Sequence, residues 1–369
     1  MKAILLAENL QKKISFLNHA VSTRSQLPIL SNFLIETKKG RLKISATDLE
    51  IGIIAHVSAS IEKEGAITVP AKTFSDLLLN MGEGKIELSY EKQNLMLKGE
   101  KVEAIFQTMP AEDFPNIYEG KGEEVARILR TDVEKELSKI VFSAAQDSGR
   151  PALSGVLMTQ DAKDFTMVAT DGYRLSLRRA FSAGGKKGKS VSMLIPSRVL
   201  RELFSIKEEG DYVSVLVSDK SNQVIFSQGE TILVGRLIEA EYPAFEKILP
   251  TSSSTVSLFE KAKMLNAVKI CSVFARDTAN IVKFSIEEDK IIVSANTPSV
   301  GENRVEVEAK TEGEENEIAF NARYLLDFLG NVEDEDLILE MSGPLSPGVF
   351  KIKGNSNFLH LIMPIRVQE

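Results

Sequence analysis

Ten residues, Ile195-Pro-Ser-Arg-Val-Leu-Arg-Glu-Leu-Phe204, recur in outline as Val69-Pro-Ala-Lys-Thr-Phe-Ser-Asp-Leu-Leu78 and as Phe320-Asn-Ala-Arg-Tyr-Leu-Leu-Asp-Phe-Leu329. The starts lie about 125 residues apart, which is too long for a solenoid and is the size of a domain. The fourth position is always basic: Lys72, Arg198, Arg323. The eighth is always acidic: Asp76, Glu202, Asp327. The sixth, ninth and tenth are apolar: Phe74, Leu77, Leu78; Leu200, Leu203, Phe204; Leu325, Phe328, Leu329. That spacing marks one buried face of a helix. Pro70 and Pro196 suit a first helical turn, and Asn321 is a capping residue type.

A chain of 369 residues, 43% hydrophobic, has the length for two or three domains, and the repeat selects three. No apolar run reaches membrane-spanning length, and Met1–Leu6 does not read as a signal peptide. One cysteine, Cys271, excludes an internal disulfide and fits a reducing cytoplasm. The net charge of −7 argues against nucleic acid as a partner unless the cations are gathered on one face.

Other segments repeat in register with the ten-residue unit. Each third opens with a short strand pattern and an amphipathic helix: Ala7–Val21 with Leu10, Ile14 and Leu17; Asp132–Ala145 with Val133, Leu137 and Ile140; Glu260–Phe274 with Leu265 and Val268. Thr131-Asp-Val-Glu134 reads as a capping box for the second. Strand runs follow, ending in Ser45-Ala-Thr-Asp48, Val168-Ala-Thr-Asp171 and Ser294-Ala-Asn-Thr297. After the ten-residue helix comes a hairpin: Ile86–Leu97, Val213–Phe226 and Leu337–Ile352, with turns at Glu91–Asn94, Asp219–Asn222 and Ser342–Leu345. Each third is expected to end on a Pro-containing strand, at Met109-Pro110, Tyr242-Pro243 and Met363-Pro364. Polar or serine-rich linkers near Gly120–Glu124 and Thr251–Thr255 set boundaries at 1–122, 123–251 and 252–369. The fold class is therefore α+β, three similar domains, each with two helices and many short strands.

No catalytic constellation is present. His19, His56 and His360 lack metal-ligand spacing, and Cys271 falls inside a helix pattern as a small buried residue. No metal and no cofactor are expected. Ala183-Gly-Gly-Lys-Lys-Gly-Lys-Ser190 nearly matches a phosphate-binding loop. Its first glycine is Ala183, and a strand pattern follows where the motif needs a helix N-terminus, so it reads as a solvated loop.

The repeated cation and anion read simply as an i, i+4 ion pair, but that arrangement is poor. A cation in the first turn opposes the helix dipole, and base-before-acid is the weaker order. An anion outside the helix explains why three copies accept the cost. Arg201 adjoins Arg198, and Lys12, Lys13, Lys261, Lys263, Lys269 and Arg276 lie on or beside the other repeated helices. Basic helices in an acidic chain suggest helices toward a polyanion, touching phosphate without reading sequence. Six helices packed about 10 Å apart close a circle with a hole of about 9 Å. Twelve leave about 28 Å, enough for a duplex roughly 20 Å across. One chain is too small to encircle DNA; two suffice, and a closed ring leaves no sheet edge exposed.

Ala169-Thr-Asp-Gly-Tyr-Arg-Leu175, Glu241-Tyr-Pro-Ala-Phe-Glu-Lys-Ile-Leu-Pro250, Phe320-Asn-Ala-Arg-Tyr324 and Met363-Pro-Ile-Arg-Val367 resemble the bacterial sliding clamps, the beta subunits of the replicative DNA polymerase III holoenzyme. The likeness covers the whole chain. It implies helices on antiparallel sheets, a head-to-tail homodimer ring around double-stranded DNA, and a groove that takes short hydrophobic peptides of polymerase subunits and the clamp loader. Carried over, the groove would be lined by Leu153, Thr170, Gly172, Tyr173, Arg174, Leu175, Pro243, Lys247 and Ile248, with Asn321, Tyr324, Ser346, Leu361, Met363, Pro364, Ile365 and Arg366. Tyr173 stands where relatives commonly have histidine, and Lys247 where they have arginine. The resemblance assigns Arg24, Lys72, Gln146, Arg150, Arg198 and Arg201 to DNA, and Phe106 and Phe274 to the dimer contact, each exposed in a monomer. An aromatic pair of some relatives is Pro151-Ala152 here. The implied function is a non-catalytic, cytoplasmic processivity factor with no membrane partner. The alternatives are a monomeric repeat scaffold binding acidic ligands or proteins, and a nucleotide-dependent enzyme resting on the defective loop.

Overall fold

The computed structural model describes residues 1–22, 26–38, 40–118, 122–147, 149–161, 164–182, 191–206, 208, 210–218, 222–298 and 301–366. Arg24, Val367 and the Ala183–Ser190 loop lie outside the described residues, as do Gly120 and Lys121 of the first linker and Asp219–Ser221 of one hairpin turn.

The first third runs β1 (Lys2–Leu6), α1 (Ala7–Leu17), β2 (Asn32–Lys38), β3 (Arg41–Thr47), β4 (Ile51–Ser58), β5 (Ser60–Lys63), β6 (Gly65–Pro70), α2 (Ala71–Asn80), β7 (Lys85–Glu91), β8 (Asn94–Lys98) and β9 (Glu103–Gln107). The middle third runs β10 (Glu123–Leu129), α3 (Arg130–Val141), β11 (Gly155–Asp161), β12 (Asp164–Thr170), β13 (Arg174–Ser182), β14 (Val191–Pro196), α4 (Ser197–Ser205), β15 (Tyr212–Ser218), β16 (Gln223–Gln228) and β17 (Thr231–Arg236). The last runs β18 (Thr255–Glu260), α5 (Lys261–Ala275), β19 (Ile281–Ile286), β20 (Lys290–Thr297), β21 (Gly301–Gly313), β22 (Asn316–Asn321), α6 (Ala322–Asn331), β23 (Asp336–Met341), β24 (Gly348–Ile352) and β25 (Asn355–Ile362). Each third thus carries two helices on antiparallel strands.

Two compact units result. The first comprises Met1–Thr131 and Arg198–Leu237, the second chiefly Asp132–Ala183 and Ile238–Glu369 with β14. The first unit holds a sheet ordered β5-β1-β7-β8-β9 and another ordered β10-β15-β16-β17-β4-β3-β2-β6. The second holds one sheet ordered β14-β11-β12-β13-β25-β24-β23-β18-β21-β20-β19-β22. The middle third is divided: β10, α4 and β15 to β17 belong to the first unit, and α3 with β11 to β14 to the second.

The repeated helices bury the face their spacing predicts. Phe74 and Leu78 of α2, Leu200 and Leu203 of α4, and Leu325, Phe328 and Leu329 of α6 are buried, while Leu77 and Phe204 are half-buried. Phe74 meets Phe33 and Phe106 edge-on, with ring centroids 6.5 and 5.5 Å apart. Phe328 lies 5.2 Å from Phe350 and 4.7 Å from His360, stacked on the imidazole. Each such ring contributes about 1.5–3 kcal/mol by leaving water, so Phe74→Ala alone would open a void in the first unit. The opening helices bury Leu10, Ile14 and Leu17; Val133, Leu137 and Ile140; and Val268, with Leu265 half-buried. The Cys271 thiol is buried, donates to the Val293 carbonyl at 3.3 Å, and is pushed up in pKa by burial.

Four expectations are corrected. Pro70 and Pro196 do not open helices; each is the last residue of a strand, and the helix begins after it. Met109-Pro110, Tyr242-Pro243 and Met363-Pro364 lie beyond the strands, which end at Gln107, Arg236 and Ile362; only at Pro364, next after the last laddered N–H, is the missing proline donor the stop. Helix α3 starts at Arg130, whose N–H donates to the Asp211 carbonyl at 2.8 Å, so Thr131 sits inside the helix and not at a cap. Phe106 is not exposed: strand alternation turns it inward onto Phe74 at 6% exposure and turns Ile105 outward at 65%. Phe274 is half-buried, and α5 exposes Ile270 and Val273 beside it.

Candidate peptide-docking site

Every predicted groove residue belongs to the second unit. The site is built on the turn that joins β12 to β13. Asp171 Oδ1 accepts from the backbone N–H groups of Tyr173 and Arg174 at 2.9 and 3.0 Å. Thr170 Oγ1 donates to the Arg174 carbonyl at 2.6 Å and accepts from the Gly172 N–H at 3.0 Å. Gly172 sits at φ +92°, which a side chain would strain. The turn therefore holds Tyr173 out, 58% exposed.

Arg174 locks this turn to its surroundings. Its Nε donates to Asp171 Oδ2 at 3.0 Å, Nη1 to Asp327 Oδ2 of α6 at 2.6 Å, and Nη2 to the Phe142 carbonyl at 3.1 Å. The guanidinium lies 4.6 Å from the Tyr324 ring centroid. Burial pushes the Tyr324 phenol up. With all these partners and only 7% exposure, Arg174 is a brace beneath the site and not a free cation at its mouth. Asn321 sets the start of α6 by accepting from the Arg323 N–H at 2.9 Å, as its residue type predicts.

The floor is apolar. Strand β13 pairs with β25 so that Leu175 faces Leu361 and Arg174 faces Ile362. Leu175 and Leu361 are buried with Val168, Leu177 and Val349, and Tyr242, Phe245 and Leu249 pack on the cluster. They cannot meet a ligand directly without rearrangement, so the reading of Leu175 as a contact surface changes: it is support. Tyr242 donates to the Val168 carbonyl at 3.3 Å, and burial pushes its phenol far above the usual range, so it stays a neutral donor. The segment then makes a single turn, Phe245–Ile248, that presents Lys247 and Ile248 outward beyond exposed Pro243. The Met363 N–H adds one bond to the ladder, to the Tyr173 carbonyl at 2.8 Å. Pro364 ends it, and the Ile365 N–H reaches the Ala319 carbonyl at 2.8 Å. Tyr173, Ile248 at 47% and Met363 at 38% are the large exposed apolar groups of this set. Pro364 and Ile365 are half-buried and Arg366 is exposed.

Leu153 is buried in the single turn Pro151–Ser154. Ser346, in the loop joining β23 to β24, makes its backbone bond within that loop, to Gly343. Of the DNA candidates, Lys72, Gln146, Arg150, Arg198 and Arg201 are exposed. Arg150 Nη2 donates to the Asp171 carbonyl at 3.2 Å, which ties it to the groove turn. Arg198 is not idle: Nη1 pairs with Asp48 Oδ2 at 2.6 Å, and Nη2 donates to the His19 carbonyl at 3.1 Å. Glu202 meets His19 Nδ1 at 2.6 Å. Neither partner of the repeated i, i+4 couple spends its charge on the other.

A buried polar chain escaped the sequence reading. Ser143 Oγ and Ser176 Oγ are 2.7 Å apart, and Ser176 Oγ is 2.8 Å from His360 Nδ1. Burial first, then the Arg174 charge, holds His360 well below its usual pKa, so it is neutral. The signal was available: Phe358-x-His360-x-Ile362 alternates, which aims all three at the core.

The chain is a threefold α+β repeat, each third with two helices on antiparallel strands. Residues 1–118, 128–244 and 246–366 match, in turn, the N-terminal, central and C-terminal domains of the DNA polymerase III beta subunit, and the chain belongs to that family. It is 27% identical over 391 residues to the "Beta sliding clamp" of Synechocystis sp., covering 100% of both. It is 26% identical over 363 residues to that of Pseudomonas putida, covering 98% of both. Among solved structures it superposes on the DNA polymerase III beta subunit of Thermotoga maritima with TM-score 0.90 at 28% identity, and on the DNA polymerase sliding clamp of Bacillus subtilis with TM-score 0.95 at 24%, each over 100% of both chains.

Proposed function

We propose that this chain is a sliding clamp, a non-catalytic processivity subunit of a bacterial replicative polymerase. Two copies close head to tail around double-stranded DNA, and polymerase subunits and the clamp loader dock through short hydrophobic peptides. The three domains are 1–122, 123–251 and 252–369, and the protein acts in the cytoplasm. A closed ring tethers its partner topologically, so contacts to DNA stay weak and sequence-independent, and the tether raises the partner's effective concentration. Lys72, Gln146, Arg150, Arg198 and Arg201 supply those contacts, with Arg24. Self-association uses the edge strand β9, with Ile105 outward and Phe106 behind it, and the α5 face around Ile270, Val273 and Phe274.

The observation that supports this reading is a set of exposed apolar side chains about one braced turn, in a chain that matches the family over its three domains. Tyr173, Ile248 and Met363 stand exposed around a turn that Arg174 holds rigid. Burying two large apolar side chains there is worth about 3–6 kcal/mol before ordering costs, which places a free peptide on the order of micromolar. The test is titration with a labelled pentapeptide ending Leu-Phe, beside sedimentation. A dimer that takes one peptide per chain is expected. A monomer, or a dimer blind to the peptide, overturns the reading.

A further inference from the structure

The first unit contains a second copy of the cleft's frame. Asp48 Oδ1 accepts from the N–H groups of Glu50 and Ile51 at 3.1 and 2.9 Å, as Asp171 does for Tyr173 and Arg174. Thr47 Oγ1 donates to the Ile51 carbonyl at 2.8 Å and accepts from the Leu49 N–H at 3.0 Å, as Thr170 does. Strand β4 pairs with β17, Gly52 facing Val234, where β13 pairs with β25, Leu175 facing Leu361. The Arg236 N–H donates to the Glu50 carbonyl at 3.0 Å, matching Met363 to Tyr173. Phe114-Pro115 precede the linker as Tyr242-Pro243 do.

Four of the six turn residues differ, and one difference decides the space within the frame. Leu175 gives the second frame its bulk, whereas the first has Gly52. A Cβ on Gly52 would lie 2.0 Å from Ile117 Cγ2. Ile117 therefore occupies the space that a leucine side chain fills in the other copy. It is fixed there by packing with Phe114, Ile29 and Leu30, and by Gln223 Nε2 donating to its carbonyl at 3.1 Å. Phe245, two residues past Pro243 as Ile117 is past Pro115, packs instead against the Leu175 cluster. What remains of the first cleft is a cavity of about 190 Å³ lined by Ile117 with Leu49, Ile51, Pro115 and Val234 and by Glu50, Asn116, Gln223 and Arg236, below the roughly 300–1,000 Å³ of ligand pockets.

We infer that Ile117 is a built-in plug and the specificity-determining residue that closes the first of two equivalent clefts, leaving each chain one peptide site. The inference rests on the peptide-docking reading of the second cleft. Full-length protein is titrated with the labelled pentapeptide ending Leu-Phe, and the number of sites per chain is counted. Wild type takes one. Ile117→Gly takes two, the added site surviving deletion of Met363–Glu369, which removes the other. If Ile117→Gly does not fold, Ile117→Ala tests the same opening with a smaller void. One site in folded wild type and in both folded variants overturns the plug alone, and two sites in wild type overturn it too. No site in wild type overturns the docking reading first.

Discussion

The turns Thr47–Gly52 and Thr170–Leu175 share a backbone, a threonine and an aspartate, and differ at the other four positions. Both are held by a threonine hydroxyl and an aspartate carboxylate, and both place the third residue at positive φ, Leu49 at 78° and Gly172 at 92°. The first tolerates a leucine in a conformation that costs an L-residue of order 1 kcal/mol. The second uses glycine, and Arg150 Nη1 would stand 3.2 Å from any Cβ added there. The arginine that closes each aspartate comes from a different place. Arg174 lies three residues on from Asp171 and is buried; Arg198 reaches Asp48 from α4 with 44% of its side chain exposed. The frame recurs, held by the same two residue types in the same hydrogen bonds. What the two copies present to solvent differs through the few side chains the frame carries.

The most damaging way to break the likeness is at the two arginines. Arg174→Ala removes the partner of Asp171 and of half-exposed Asp327 and should cost the second unit about 1.5–3 kcal/mol in urea unfolding, the worth of buried hydrogen bonds to charged groups. Arg198→Ala, at an exposed pair, should cost under about 1 kcal/mol. Equal losses would show that the two braces are interchangeable.

Removing Met363–Glu369 should abolish pentapeptide binding, a drop of at least about 100-fold, or roughly 2.7 kcal/mol. The dimer should persist in sedimentation. Loss of the dimer as well would make the terminal segment structural instead.

Acid should separate the units next. His360 is buried neutral, with its pKa well below the unfolded value near 6.5. The unfolded chain then binds the extra proton, so stability is full above that pH and falls as pH drops below it. Leu233, buried in β17, pairs with Ile53 where His360 pairs with Ser176. His360→Leu should flatten the acid limb of the unfolding curve. An unchanged limb would assign the pH response to other groups.

The smallest effect concerns DNA. Lys72→Ala should lower the log–log salt slope of DNA binding by about 0.9, one phosphate contact. Arg198→Ala should lower it by less, because Asp48 already holds that guanidinium. Equal slopes would mean Asp48 releases it on DNA.

Local features were legible because they are local. The ten-residue repeat gave three helices and their buried faces, the Asn321 cap followed from residue type, and the hairpins followed from alternation. What failed depended on partners distant in sequence. Nothing near Arg198 announces Asp48, some 150 residues away, and nothing near Arg174 announces Asp327. A chain shows charge but not neutralisation, so neither pairing is written in the sequence. Phe106 was placed outside although alternation with exposed Ile105 allowed only one of the two to face solvent. The Ile117 plug was invisible for a similar reason: Gly52 records an absence, and only the fold shows what fills it.

The division of the middle third between the two units has a practical edge. Cutting out residues 123–251 would strip β17 from β4 and β13 from β25, baring two strand edges that were paired. Such a fragment invites aggregation. The repeat in the sequence is therefore no unit that can be cut out cleanly: its middle copy shares one ladder with the first third and another with the last.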